Sequence, residues 1–206
     1  MAPTEISSPR SRAKSDRRDQ LVAAAERLFA EHGYLAVRLE DIGSAAGISG
    51  PAVYRHFPSK EALLVELLVG ISTRLLAGAT DVVGADDDAA STLENLIDFH
   101  LDFALDESDL IRIQDRDLGN LPPAAKRQVR RKQRQYVEIW VDVLRRCTPG
   151  LSEADARLMA HGTFGLLNST AHSMKPGTTK TAEAGSRTVL REMTVAALTS
   201  AERRRG

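Results

Sequence analysis

Ile48-Ser49-Gly50-Pro51-Ala52-Val53-Tyr54-Arg55-His56-Phe57-Pro58-Ser59-Lys60-Glu61-Ala62-Leu63 decides how this chain is read. It predicts a tight turn, a short helix, a break at Pro58 and a new helix capped by Ser59. The preceding Leu39-Glu40-Asp41-Ile42-Gly43-Ser44-Ala45-Ala46-Gly47 predicts another short helix that stops at a glycine. Two short helices joined by a glycine-containing turn form a helix-turn-helix, whose second helix enters the DNA major groove.

Working outward, Leu21, Ala24, Ala25, Leu28 and Phe29 recur at helical spacing after a start near Asp16 or Arg17, with Gly33 at the stop. Residues 1–15, rich in Ser, Pro and Arg, read as a disordered basic arm. Downstream of Ser59 an apolar stripe from Leu63 to Leu76 predicts one long helix, about 59–83. Further helices are expected over about 88–106, 108–117, 122–147, 152–174 and 179–199. No strand-like alternation interrupts them. The expected fold is all-α, with a three-helix DNA-binding unit over 16–62, a ligand-binding and dimerisation bundle over 63–200, and a tail at 201–206.

The charge pattern agrees. Among 206 residues, 28 Lys and Arg balance 28 Asp and Glu, yet residues 10–18 and 126–134 are basic and 81–109 acidic. A neutral total thus hides cationic segments suited to phosphates. Cys147 is the sole cysteine, so no internal disulfide is possible. The start lacks a signal-type apolar region, and the apolar run Ala62–Ile71 is short for a bilayer. A soluble cytoplasmic protein with no membrane partner is expected.

Three segments carry a family resemblance: Ala24-Ala25-Glu26-Arg27-Leu28-Phe29-Ala30-Glu31-His32-Gly33-Tyr34, then Asp41 to Ser49, then Val53 to Leu63. Together they resemble the TetR-type repressors over nearly all of residues 17–64. The resemblance implies a repressor acting as a homodimer on a double-stranded palindromic operator and released by a small effector. It also implies backbone contacts from Tyr54, His56 and Lys60. Arg38 departs from the family, which often has Thr or Ser there. It cannot cap through an oxygen, but it reaches a phosphate as a cation. The Asp115–Pro123 segment resembles members that sense acyl-CoA or other lipid-like molecules.

From the residues themselves, Ser49, Gly50 and Pro51 open the recognition helix, about 50–56, with backbone N–H groups facing phosphates or bases. Val53 and Phe57 pin it to Leu28, Phe29 and Ile42. Ala52 suits a thymine methyl and Arg55 a guanine edge.

In the second half, Gly162, Gly165, Leu166, Val189 and Met193 are expected at a dimer face, since small residues permit close helix approach. Phe99, Phe103, Ile113, Tyr136, Trp140 and Phe164 are candidates for lining an apolar effector pocket. Asn168, His100 or Arg112 would add a polar contact. The bland reading of that aromatic stripe is core packing.

Other classes fit less well. An architectural DNA binder without effector remains an alternative, as, more remotely, does an all-helical enzyme or lipid-binding protein. Gly-x-Ser-x-Gly, His-Glu-x-x-His, P-loop and dinucleotide motifs are all missing. Asp86-Asp87-Asp88 is not a calcium loop, because Ser91 and Ile97 occupy its sixth and twelfth positions. No catalytic residue, cofactor or metal is expected.

Overall fold

The computed structural model describes residues 9–85, 88–169 and 180–203, which form nine α-helices and no strand. α1 spans Pro9–His32, α2 Leu39–Ala45, α3 Gly50–Val53 and α4 Lys60–Ala85. α5 spans Ala89–Asp106, α6 Ser108–Asp117 and α7 Pro123–Cys147, with one 3-10 turn at Leu118–Asn120. α8 is Glu153–Asn168 and α9 Lys180–Arg203. Residues 170–174 and 179 of the two last expected helices, 204–206 of the expected tail, and Asp86 and Asp87 lie outside the described residues.

Several boundaries differ from expectation: α8 closes at Asn168 rather than near 174, and α9 runs through 201–203, expected in the tail. α1 starts at Pro9 rather than near Asp16, so residues 9–15, expected in a disordered arm, are helical. Proline at the first position costs no hydrogen bond there. α3 is regular only over Gly50–Val53, and the chain then tightens into turns. The Arg55 and His56 N–H groups reach back to Ala52 and Val53 carbonyls at 3.2 and 2.9 Å.

The caps follow from the sequence. Gly33 adopts φ +86° and Gly47 φ +66°, left-handed positions that favour glycine. The Arg38 N–H donates to the Asp41 carboxylate at 2.9 Å, half of a capping box that needs no Thr or Ser at position 38. Ser59 accepts from Ala62 N–H at 3.1 Å, Asp88 from Ser91 N–H at 2.8 Å and Ser152 from Asp155 N–H at 3.1 Å.

Two buried clusters organise the helices. The first joins Leu21, Ala25, Phe29, Ile42, Val53 and Phe57 to Leu63, Leu64 and Leu68 of α4. It also takes in Leu110 and Ile113 of α6, Leu121 just before α7, and Ala125 and Val129 near its start. The second joins Ala79, Leu96, Leu101, Tyr136, Trp140, Ala160, Leu167, Leu190 and Leu198. α4 runs through both. Its length and apolarity would suffice to cross a membrane, but its buried residues Leu63 to Ile71 pack on neighbouring helices, as in the central helix of a core. α4 and α5 meet closely at Gly78, where an added Cβ would stand 2.4 Å from the Phe99 ring. Arg187 and Arg191 of α9 pair with Asp98, Asp102 and Glu94 of α5 at 2.9–3.1 Å.

Candidate nucleic-acid interface and effector pocket

α2 and α3 cross so tightly that a Cβ on Gly43 would stand 2.5 Å from Val53 Cγ2 and 3.0 Å from the Ile48 carbonyl oxygen. Val53 and Phe57 are buried against Phe29 and Ile42, as their spacing predicts. The opposite face is left to solvent. Arg38, Ser49, Pro51, Tyr54 and Arg55 are exposed, and Gly50, Ala52, His56 and Lys60 are half-buried.

The start of α3 offers fewer free donors than expected. Ala52 and Val53 N–H already bond the Ser49 carbonyl, at 2.8 and 3.1 Å, and Pro51 has no N–H. That leaves the Gly50 N–H. The side chains around it are partly committed too. Tyr54 donates its hydroxyl to Glu40 at 2.7 Å. Lys60 donates to the Tyr34 carbonyl at 2.7 Å and lies 4.3 Å from the centre of the Tyr34 ring.

Cations from α1 gather at the other end of α3. Arg18 donates to the His56 carbonyl at 3.2 Å, lies 4.2 Å above the Phe57 ring and pairs with Glu66 at 2.8 Å. Desolvation, then Lys14, Arg17, Arg18 and Arg55, hold the His56 imidazole below its ordinary pKa. The helical extension of α1 therefore adds its charge beside α3, where anions are favoured.

The helix-turn-helix end is locked to the bundle through α6. Arg116 donates to the Phe29 and Ala30 carbonyls at the C-terminal end of α1, where a cation satisfies both orphan oxygens and the helix dipole. The buried Asp117 accepts from Arg116 at 3.1 Å and from Tyr34 N–H at 3.3 Å. On the same seam Glu26 faces Glu107 and Asp109. Burial first, then these two carboxylates, raise its pKa to about 7 against the opposing pull of Arg74. Nothing in the local sequence reveals the Arg116 and Asp117 contacts, which join residues 83–87 apart.

A partly open cavity of about 240 Å³ lies between α4, α5, α6, α7 and α8. Phe103, Tyr136, Phe164 and Asn168 line it as expected, with His100. Ile113, Phe99 and Trp140 do not. Ile113 turns into the first cluster, Phe99 is packed against Gly78, and Trp140 is buried in the second cluster with its ring 5.3 Å from Phe164. Arg112 pairs with Asp109 instead of reaching the cavity.

His100 anchors the pocket's polar wall. Its Nε2 lies 3.0 Å from Asn168 Oδ1 and its Nδ1 2.8 Å from the Tyr136 hydroxyl. The amide oxygen only accepts, so Nε2 carries the proton and Tyr136 donates to Nδ1. Burial drives the His100 pKa down to about 4 despite the Asn168 bond, and raises that of Tyr136 above its ordinary value. The wall is therefore neutral. Phe164 stacks on His100 with centroids 5.1 Å apart.

On the outer side of α8 and α9, Gly162, Gly165, Val189 and Met193 are exposed, and Leu166 is half-buried. Leu158 adds to this face, at 72% exposed. A Cβ on either glycine would meet nothing within 4 Å.

The family model for bacterial regulatory proteins of the tetR family matches residues 21–67, and that for a tetracyclin repressor-like C-terminal domain matches 86–193. The HTH-type transcriptional repressor KstR2 of Rhodococcus jostii is 40% identical over 84 residues, which are 41% of each chain. KstR2 of Mycobacterium tuberculosis is 35% identical over 135 residues, 63% of this chain and 66% of that one. The matched segments thus span less than two thirds of these relatives. The HTH-type transcriptional regulator CymR of Pseudomonas putida is 34% identical over 158 residues, 72% of this chain and 76% of that one.

Among solved structures, the ketosteroid transcriptional regulator KstR2 of Mycobacterium tuberculosis superposes with TM-score 0.76 at 24% identity, covering 89% of this chain and 94% of that one. AibR, solved with isovaleryl coenzyme A and operator DNA, superposes with TM-score 0.73 at 16% identity, covering 86% and 97%. FadR of Bacillus subtilis, solved with stearoyl-CoA, gives 0.66 at 19%, covering 87% and 98%. Helix-turn-helix, bundle and family-model matches to both halves lead to one assignment: the chain belongs to the TetR family of bacterial transcription regulators.

Proposed function

We propose that this protein is a dimeric, ligand-responsive repressor that grips a palindromic operator and lets go when a small, largely apolar effector enters the bundle. One observation carries the reading. α6 presents Ile111 and Gln114 to the cavity and, from its last turn, holds the end of α1 through Arg116 and Asp117. α4 makes a parallel link, with Ile71, Ser72 and Leu75 at the cavity and Lys60 tied to the α1–α2 loop. Expansion of the cavity displaces both helices and so re-aims α3.

Phosphate contacts set register, and base contacts select sequence. Arg38, Tyr54, His56 and Lys60 take the first role; Gly50, Ala52 and Arg55, with the entry at Ser49 and Pro51, take the second. A four-residue helix reads little alone. Two copies paired through α8 and α9 place two such helices about 34–36 Å apart, one DNA turn. An effector acts only through its preference for the non-binding state. A coupling of about 1–3 kcal/mol changes operator affinity several-fold to about a hundredfold. AibR and FadR, which hold acyl-CoA molecules, suggest an acyl-type effector, and the apolar lining supports one. The cavity argues against a purely architectural DNA binder, which has no use for one.

The test is selection of genomic duplex fragments by the purified full chain. Enrichment of a palindrome with two half-sites one turn apart is expected. Retention of no duplex even at low ionic strength would sink the proposal.

A further inference from the structure

We infer that the pocket selects effectors bearing one anionic group directly on a compact apolar body, and that the Lys132 ammonium on α7 binds that group. This inference rests on the effector pocket proposed above and names the chemistry it takes.

Four observations converge. First, Lys132 is the one Lys or Arg that lines the cavity, and no Asp or Glu lines it among the described residues. Second, Lys132 has no ion-pair or hydrogen-bond partner among the described residues. Arg18, Arg74, Arg112, Arg116, Arg157, Arg187 and Arg191, by contrast, are each paired with a carboxylate. Its exposed neighbours Arg127, Arg130, Arg131 and Arg134 are solvated, but Lys132 is half-buried at a cavity wall. An ammonium there is partly stripped of water and gains most from an anionic partner.

Third, apart from His161 and the neutral amides of Gln114 and Gln133, the other polar side chains lining the cavity are already bonded. His100, Tyr136 and Asn168 bond one another, and the Ser72 hydroxyl donates to the Leu68 carbonyl at 2.7 Å. They orient a ligand but do not balance a charge. Fourth, about 240 Å³ lies just below the roughly 300–1,000 Å³ of drug-sized pockets. One or two rings, or a short branched chain, fill it against Ile71, Leu75, Phe103, Val137 and Phe164. A carboxylate on such a body reaches Lys132, and a nucleotide head remains outside.

Two dyes test this with the full-length protein: anilinonaphthalene sulfonate, and phenylnaphthylamine, which is the same skeleton without its anion. The chain's only tryptophan, Trp140, packs edge-on to the pocket residue Phe164, so quenching of its emission reports dye binding. At pH 8 histidines of ordinary pKa, about 6.5, are neutral and do not attract the sulfonate. The sulfonate dye is expected to bind about tenfold tighter than the neutral one, the effect of one charge-assisted hydrogen bond. Lys132→Met is expected to bring it down to the neutral dye's affinity, whereas Lys132→Arg and Arg131→Met keep the preference. Equal affinities in the parent protein, a preference that survives Lys132→Met, or equal weakening of both dyes by that change would each overturn the role of Lys132 while leaving the pocket standing. If neither dye quenches Trp140, the pocket reading falls with it.

Discussion

The Tyr54 hydroxyl donates to the Glu40 carboxylate at 2.7 Å, across the exposed face that α2 and α3 present together. The bond holds the Glu40 carboxyl below its usual range. The single hydroxyl proton is thus already held by an anion, and a phosphate must displace that anion. Tyr54→Phe should therefore lower affinity for all duplexes by less than about fivefold, the value of one net hydrogen bond. Glu40→Gln should raise it. Gel shifts at fixed salt measure both, and an unchanged Glu40→Gln affinity would take Tyr54 off the phosphates.

Lys60 has a structural task besides any phosphate contact. Lys60→Met removes a charge-assisted bond to Tyr34 and a cation–π contact, and should cost about 1–2 kcal/mol of stability. The slope of log affinity against log salt should fall by less than about one unit, because the ammonium is shared. Thermal unfolding and a salt titration read the two effects separately.

Gly43→Ala inserts a methyl where Val53 Cγ2 would be 2.5 Å away. Overpacking of this kind costs about 1–3 kcal/mol. It should also push α3 off its seat, so operator affinity should fall while dye binding in the distant pocket is retained. Parallel loss of both would show that the damage is global.

The half-buried Glu26 and the buried His100 should oppose each other in acid. The folded protein keeps the proton on Glu26 until about pH 7, whereas the unfolded chain releases it near pH 4.5. That contribution to stability is complete below pH 4.5 and is lost as pH rises towards 7. His100 is neutral in the fold down to about pH 4 but binds a proton near 6.5 when unfolded. Its contribution is present above pH 6.5 and is lost as pH falls towards 4. Glu26→Gln should therefore raise the melting temperature at pH 8 relative to pH 5 and steepen the acid decline. Melting curves across pH 4–8 check this, and a parallel offset at every pH would rule it out.

Gly165→Trp should leave each chain folded, since nothing in the same chain lies within 4 Å of the added Cβ. It should nevertheless yield monomers with much weaker operator binding. Sedimentation decides, and a mutant still dimeric would move the interface elsewhere.

The helix-turn-helix is legible because its signals are near one another: Gly47 and Ser59 act within a few residues, and Gly43, Val53 and Phe57 find their partners within about thirty. The pocket is less so. Helical spacing shows that Phe99, Phe103, Tyr136, Trp140 and Phe164 turn inward but cannot separate a wall from a filled core. That depends on partners such as Gly78, which receives Phe99. The bonds of His100 to Tyr136 and Asn168 span 36 and 68 residues and carry no local signal. Lys132 belongs to the basic run 126–134, which charge alone marks as suited to phosphates; only the three-dimensional packing sets it apart from Arg131.

The first core does not end where the first four helices do. Leu110, Ile113, Leu121, Ala125 and Val129 complete it from far along the chain. A reader module excised at residue 62 and grafted onto a foreign sensor would arrive with one flank bare. A working chimera has to transplant the segment 108–129 as well, and with it the Arg116 and Asp117 clasp on the end of α1.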